Sequence, residues 1–386
     1  MMPHRGLGEE IPMKRYLVEV FRCCLLFAYR LFLLLPKHRR IICLSRESNH
    51  PPVDFRLIQR YMAINNPDYR VKILAKRLDD PVTYCIHMIR QLYYIATSRA
   101  VVLDTYAIIV SMLAGQIRIP VIQMWHALGN MKKFGYTALD DNEGRGAQTA
   151  TLMRMHQGYS SVLISSKSFI DDYAAGFGID KSRIIEAPLP RTDLLTSPAY
   201  RNSQRARIIR LFPELGRKKN IVYCPTFRRR PPSNQAAAAK SLVEAIDFER
   251  YNLIIKKHPL DTLHFDDPRV FQTYPSRMDM LFIADYVISD YSTVIYEAGL
   301  LDVPVFLYGY DWEEYSRRRS LYIDPRHDVP TLFTGDAHRL FEAIDHDEFD
   351  RDAFSAFIRR NVALPRDASC TQQVVEHILG MIHATR

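Results

Sequence analysis

Residues Ala284 to Leu307 read ADYVISDYSTVIYEAGLLDVPVFL. The short apolar run Tyr286–Ile288 is closed by Ser289 and Asp290, and Ser292 and Thr293 then open a segment of helical periodicity that ends near Gly299 to Asp302. Val303-Pro304-Val305-Phe306-Leu307 supplies the next buried strand. Strand, helix and strand in that order make one unit of a parallel α/β sheet. The first N–H groups of such a helix lack intrahelical partners and sit at the positive end of its dipole, which suits phosphate oxygens. Ser292 and Thr293 would add hydroxyl donors, and Glu297, one turn deeper on the same face as Thr293, is placed to accept from ribose hydroxyls. An ordinary crossover with a capped helix has the same pattern, so both readings stand on pattern alone.

The same alternation extends on both sides. After Pro36 come strands Arg40–Ser45, Tyr69–Leu74, Arg99–Asp104, Pro120–Trp125, Ser161–Ser165 and Ile184–Ala187, with helices predicted over Asp54–Asn65 and Val82–Thr97. A second series follows the charged stretch Arg201–Asn220: Ile221–Cys224, Asn252–Lys256, Tyr286–Ser289 and Val305–Tyr308. This predicts two doubly wound, Rossmann-type domains, residues 37–217 and 218–386, with a cleft between the carboxyl ends of their sheets where ligands bind. Residues 228–240, RRRPPSNQAAAAK, are read as a loop.

Residues 1–36 form a separate N-terminal unit. Tyr16 to Leu35 is rich in Leu, Phe and Val, but Glu19, Arg22 and Arg30 interrupt it, and no apolar run approaches the roughly 20 residues of a membrane span. No small-residue cleavage site follows, which argues against a signal peptide. An amphipathic helix lying in a membrane interface, held by apolar burial and by Lys14, Arg15, Lys37, Arg39 and Arg40 on anionic lipid, is the first reading. A helix docked on the protein's own core or on a partner subunit is the second.

A net charge of +9 and pI near 9.2 favour an anionic partner without selecting nucleic acid, membrane or phosphorylated substrate. The six cysteines, at 23, 24, 43, 85, 224 and 370, have neither CxxC nor zinc spacing and read as reduced. There is no Walker A loop and no GxGxxG, and the one DxD match, Asp345 and Asp347, lies in a late acidic stretch rather than at a strand end. No metal ligands are assigned, and a helix terminus with Lys and Arg neutralises a leaving diphosphate without an obligatory metal.

Candidate chemistry gathers at strand ends. His126 directly follows PVIQMW, where an imidazole can take a proton from a substrate hydroxyl near neutral pH, with Lys132 and Lys133 nearby to attract phosphate. His258 occupies the matching place in the second half, after Lys256 and Lys257. A lone histidine at a strand end is usually structural; two at equivalent ends, each near a lysine pair, are a constellation. Thr226 and Arg228 in YCPTFR end another strand with a hydroxyl and a guanidinium suited to phosphate oxygens. Of Arg317, Arg318 and Arg319, one is expected to reach the cleft, with Asp311 as a partner. Pro190-Arg191-Thr192-Asp193 reads as a cleft wall or a plain proline turn.

Taken in order, WHALGNMKKFG, PLPRTD, YCPTFR, KKHP and SDYSTVIYEAGLLDVPVFLYGYDWEEY resemble the motifs of the CDP-glycerol glycerophosphotransferase family, the primases and polymerases of teichoic acid and related capsule polymers. The resemblance runs from about Arg40 to Asp324. It implies a GT-B-like fold and transfer of an alditol phosphate, glycerol phosphate first, from CDP-glycerol or CDP-ribitol to a hydroxyl on a lipid-linked saccharide acceptor, with release of CMP. It also implies a peripheral location on the cytoplasmic face of the bacterial membrane, without nucleic acid as partner. By the same resemblance His126 matches the general base and His258 the histidine that supports the phosphate in flight. Ser292 and Thr293 match the diphosphate-binding hydroxyls, Glu297 the acidic residue near the nucleotide, and Arg319 the arginine of an RG pair. Three family glycines are replaced, by Ala127, Pro188 and Ser320. Two other classes fit the same residues from the bottom up: a GT-B glycosyltransferase using a nucleotide sugar, and a non-catalytic basic protein that binds membranes or nucleic acid. Donor identity separates the first, absence of any CMP release the second.

Overall fold

The computed structural model describes residues 10–141, 144–228, 230–256, 263–272 and 279–385. In chain order the helices are α1 (Glu10–Phe32), α2 (Val53–Asn65), α3 (Pro81–Thr97), α4 (Ile108–Met112), α5 (Ala147–Leu152), α6 (Ile170–Phe177), α7 (Thr192–Leu195), α8 (Pro198–Leu211), α9 (Gln235–Ala245), α10 (Val294–Leu300), α11 (Trp312–Arg318), α12 (Ala337–Asp345), α13 (Arg351–Asn361) and α14 (Cys370–Ala384). The strands are β1 (Arg40–Ser45), β2 (Arg70–Ala75), β3 (Ala100–Leu103), β4 (Val121–Gln123), β5 (Ser161–Ile164), β6 (Ile184–Glu186), β7 (Lys219–Tyr223), β8 (Tyr251–Ile255), β9 (Val270–Phe271), β10 (Tyr286–Ser289), β11 (Val305–Tyr308) and β12 (Phe333–Thr334).

Two six-stranded sheets form, in the orders β2-β1-β3-β4-β5-β6 and β12-β11-β10-β7-β8-β9, and every pairing is parallel. Central strands such as RIICLS and YVIS are buried almost throughout because helices cover both faces, which is why they read as continuous apolar runs. Strand order reverses beside β1 in the first sheet and beside β7 in the second, and crevices at such switch points bind ligands. This is the two-domain, GT-B-like α/β architecture expected from the sequence. The edge strands β9 and β12, two residues each, were not expected. Residues 235–245, partly assigned to a loop, form α9 instead: four consecutive alanines are the best helix formers, and Leu242 is fully buried beneath them.

The last helices cross back. Ser165 and Ser166, after β5, donate through their hydroxyls to the carbonyls of Asn361 and Arg360 at the end of α13. α14 packs on α2 and α7, burying Val374, Val375, Ile378 and Ile382 in the core shared with β1 and β3. Its N-terminus is held by Asp193, which accepts from the backbone N–H of Cys370 and Thr371 and from the Thr371 hydroxyl.

α1 serves two surfaces. Leu25 and Tyr29 are buried against the first domain, with Val18, Phe21 and Phe32 beside them, while Met13, Tyr16, Leu17, Val20, Phe27 and Leu31 are exposed. The neighbouring α3 adds exposed Val82, Ile86 and Ile89. No helix among the described residues is long and apolar enough to cross a membrane.

Candidate active site

β4 stops at Gln123, and two residues on the chain turns sharply, with Trp125 at φ 59°. A left-handed conformation at a tryptophan costs on the order of 1–2 kcal/mol. Here it is held by the buried Gln123 amide oxygen, which accepts from the Trp125 N–H, and by stacking of the indole on Phe134. The turn delivers His126 to the cleft. Its Nδ1 lies 2.9 Å from the backbone oxygen of Asp104 at the end of β3. A carbonyl only accepts, so Nδ1 is the nitrogen that donates in this contact. Glu47 approaches the same Nδ1 at 4.0 Å.

His126 lines a cavity of about 610 Å³ together with Arg46, Glu47, Arg145, His156 and Arg319. The three arginines at 317–319 are thereby sorted. Arg317 bonds the Glu313 carbonyl and Arg318 pairs with Glu314, both at the surface, whereas Arg319 reaches the histidine's cavity and donates to the Lys133 carbonyl at 3.0 Å. Around it the domains are joined through their backbones. Lys132 and Leu321 form an antiparallel bridge, with Lys133 N–H bonded to Ser320 O and Tyr322 N–H to Met131 O. Ser320, which stands where a family glycine was expected, donates from its N–H and hydroxyl to Asp141. The Lys132 ammonium lies 3.4 Å from the Thr226 hydroxyl on the second domain.

Thr226 and Arg228 occupy a buried network. Asp290, fully buried, accepts from the Thr226 N–H and hydroxyl and from the Tyr291 N–H. The Arg228 guanidinium donates to Asp311 at 2.6 and 2.8 Å, to Asp290 at 3.0 Å and to the Thr226 carbonyl at 2.7 Å. Its side chain is 3% exposed and lies over the rings of Tyr291, Tyr310 and Tyr315. The role of phosphate ligand given to Arg228 from sequence is corrected by this placement: all its nitrogens are committed, and it fixes the turn that leads into Ser292. Asp311, anticipated as partner of one of the later arginines, is instead the partner of Arg228.

Ser292 and Thr293 stand partly exposed at the start of α10, where the Ser292 hydroxyl accepts from the Val294 N–H. Glu297 is bound by Arg191 at 3.2 Å, and the same guanidinium grips the nearly buried Asp54 at the start of α2. The PRTD segment is thus a junction between domains: its arginine ties α2 to α10 and its aspartate caps α14. His258 and Lys257 lie outside the described residues. Among the described residues no group of three or more His, Cys, Asp or Glu is placed to hold a metal, and Asp345 and Asp347 pair with Arg250 and Arg351.

Two groups beside His126 carry no local signal in the sequence. Burial pushes the carboxyl of Asp104 up to about 8, and its Oδ1 has no hydrogen-bond partner among the described residues. Burial likewise pushes the imidazole of His156 down to about 3, so it is neutral at physiological pH, bonded to the Tyr159 hydroxyl and packed edge-on against Phe177. A larger cavity, about 1110 Å³ between α9 and residues 264–269, contains none of the predicted residues.

Comparison with known proteins agrees with the two-domain fold. The teichoic acid ribitol-phosphate primase of Bacillus spizizenii is 26% identical over 386 residues, covering 96% of this chain and 99% of the primase. The poly(ribitol-phosphate) polymerase of the same organism is 26% identical over 369 residues, and there the match spans only 58% of the polymerase. The wall teichoic acid polymerase TagF superposes with a TM-score of 0.75 at 17% identity, over 96% of this chain and 98% of that one, and a TagF variant soaked with CDPG does so at 0.72. A family model, CDP-Glycerol:Poly(glycerophosphate) glycerophosphotransferase, matches residues 27–380, and the chain belongs to that family.

Proposed function

We propose that this protein transfers an alditol phosphate from a CDP-alditol to a hydroxyl of a lipid-linked acceptor in teichoic acid or related polymer synthesis, releasing CMP. The observation that carries the reading is the shared cavity of His126 and Arg319, with Nδ1 of the histidine turned to the Asp104 carbonyl and Nε2 left as the base. The acceptor oxygen forms a new bond to the phosphorus that bears the alditol. The bond from that phosphorus to the oxygen bridging to cytidine monophosphate breaks, its electron pair leaves with CMP, and the acceptor's proton passes to His126 Nε2. Arg319, Lys132, Ser292 and Thr293 are assigned to the charge that develops on the donor, His258 to the same task, and Glu297 to the ribose. Lys133 lends its carbonyl to hold Arg319. Positioning and charge stabilisation carry phosphoryl transfer of this kind.

CDP-glycerol is the first donor to try, and the likeness to a ribitol-phosphate primase makes CDP-ribitol the second. The exposed apolar residues of α1 and α3, flanked by basic side chains, support peripheral attachment to an anionic membrane surface, where the acceptor lipid resides. The test is CMP release with each donor and a lipid-linked acceptor. His126→Ala should lower kcat by about 10²- to 10⁴-fold, the usual contribution of a general base. Near-normal turnover in the folded variant refutes the base; release of UDP from a UDP-sugar moves the protein to the glycosyltransferases.

A further inference from the structure

Arg319 reaches the His126 cavity from a stretch that is neither helix nor strand: α11 ends at Arg318, and Arg319 leaves it extended, at φ −135°. A site residue on such a stretch is held less precisely than one on a helix or strand unless its neighbours fix it. Here the fixing comes from the other domain. The Lys133 carbonyl takes the tip of the side chain, and the bridge between Lys132 and Leu321 holds the backbone just beyond it. Tyr322 closes the segment, its hydroxyl donating to the Asp172 carbonyl at 3.1 Å. Asp141 adds the contact nearest the base of the arginine. Each of its carboxylate oxygens accepts one bond from Ser320, from the hydroxyl at 3.2 Å and from the N–H at 3.3 Å.

The residue at 320 decides how firm that hold is. The glycine expected there could offer only its N–H and would leave the backbone after the arginine its widest freedom. Serine supplies the second donor, and with both bonds made the segment cannot swing about either one. Bonds to an ionised acceptor are also roughly twice as strong as neutral ones. A carboxylate this close to a guanidinium would ordinarily take it as an ion-pair partner. With both Asp141 oxygens on Ser320, the Arg319 guanidinium is turned instead to the neutral Lys133 carbonyl, which leaves its charge for the cavity. Lys133 and Asp141 lie on the same connection between β4 and α5 that carries His126. Base and cation are therefore referred to one loop, although they belong to different domains.

We propose that Asp141 is a positioning residue that acts through Ser320 to set the place of Arg319 relative to His126. The proposal rests on the transferase reading above.

The experiment follows CMP release by the full chain with CDP-glycerol and with CDP-ribitol, each with a lipid-linked acceptor. Asp141→Asn keeps the size of the side chain and leaves one accepting oxygen; it should lower kcat by about ten- to a hundredfold, the scale of misplacing a reacting group by about 1 Å. Ser320→Gly removes the hydroxyl bond alone and should lower kcat by about three- to tenfold. Both positions are partly exposed, so water reaches the groups left behind and each variant should melt within about 2 °C of the wild type. Action through Arg319 is separated from general bracing of the two domains by a double-mutant cycle. In an Arg319→Met chain, read in single turnovers with enzyme in excess, adding Asp141→Asn should change the rate by less than about twofold. A full repeat of the Asp141→Asn loss in that chain overturns the proposal, as does wild-type kcat in Asp141→Asn alone. If the wild type releases CMP from neither donor, the transferase reading fails and the positioning role with it. An active wild type with additive losses removes the positioning role only.

Discussion

Replacing Arg228 by methionine separates two readings of this arginine by the quantity that changes. In the structure its guanidinium lies between two carboxylates, Asp290 and Asp311, whose side chains are 0% and 3% exposed. Methionine keeps much of the volume and removes the charge, leaving both carboxylates buried without a cation. Breaking a buried pair from one side costs about 3–5 kcal/mol, a large part of the 5–15 kcal/mol that separates a typical folded domain from its unfolded chain. At about 2–4 °C per kcal/mol, the melting temperature should fall by roughly 6–20 °C. Adding Asp311→Asn should restore part of the loss, since one stranded charge is then gone. The assay is thermal unfolding followed by circular dichroism, alongside the KM for CDP-glycerol measured well below the transition. A melting temperature within 2 °C of wild type together with a tenfold rise in that KM would refute the buried network and return Arg228 to the donor's phosphates.

The neutral, buried His156 makes stability depend on acidity in a defined direction. The unfolded chain takes up a proton near pH 6.5 and the native site only near 3, so stability is complete above pH 6.5 and is lost progressively as pH falls toward 3. By pH 5 the loss is about 2 kcal/mol, visible in urea midpoints as a gap from His156→Gln that changes between pH 7 and 5; a constant gap counts against it. Gly129, three residues after His126, has φ 63°, and a Cβ there would meet the ring of the fully buried Tyr296 at 2.3 Å. Gly129→Ala should therefore cost about 2–4 kcal/mol from overpacking and left-handed strain, and an unchanged melting temperature would contradict the close packing of this loop on α10.

The parallel strands were legible because burial on both faces leaves an apolar run that needs no partner to be recognised. β9 and β12 were not, since two residues at a sheet edge have no period to read. His126 could be placed beside the cleft because it directly follows a strand, whereas nothing local chose among Arg317, Arg318 and Arg319, and Arg319 was singled out only by the family resemblance. Arg228 looked the same locally, yet its role is set by Asp290 and Asp311, 62 and 83 residues further along, and no local pattern records that both carboxylates converge on it. Glu297 was picked out for a substrate, while its tie to Arg191 depends on how the two domains face each other. His156 follows a short helix in an irregular segment, and only the closed aromatic packing around it distinguishes it from any surface histidine.

The return of α14 to the first domain bears on the order in which the molecule is built. The face that Val374, Val375, Ile378 and Ile382 cover belongs to a sheet whose six strands are all synthesised before residue 187. On the ribosome that sheet must wait, with an uncovered apolar flank, while about two hundred further residues emerge at about 5–20 residues per second. The second domain has all its own strands by residue 334 and can close first. The domain begun earliest is thus completed last, and a nascent chain stalled before α14 would present to chaperones a first domain that has every strand and lacks only the helix that seals it.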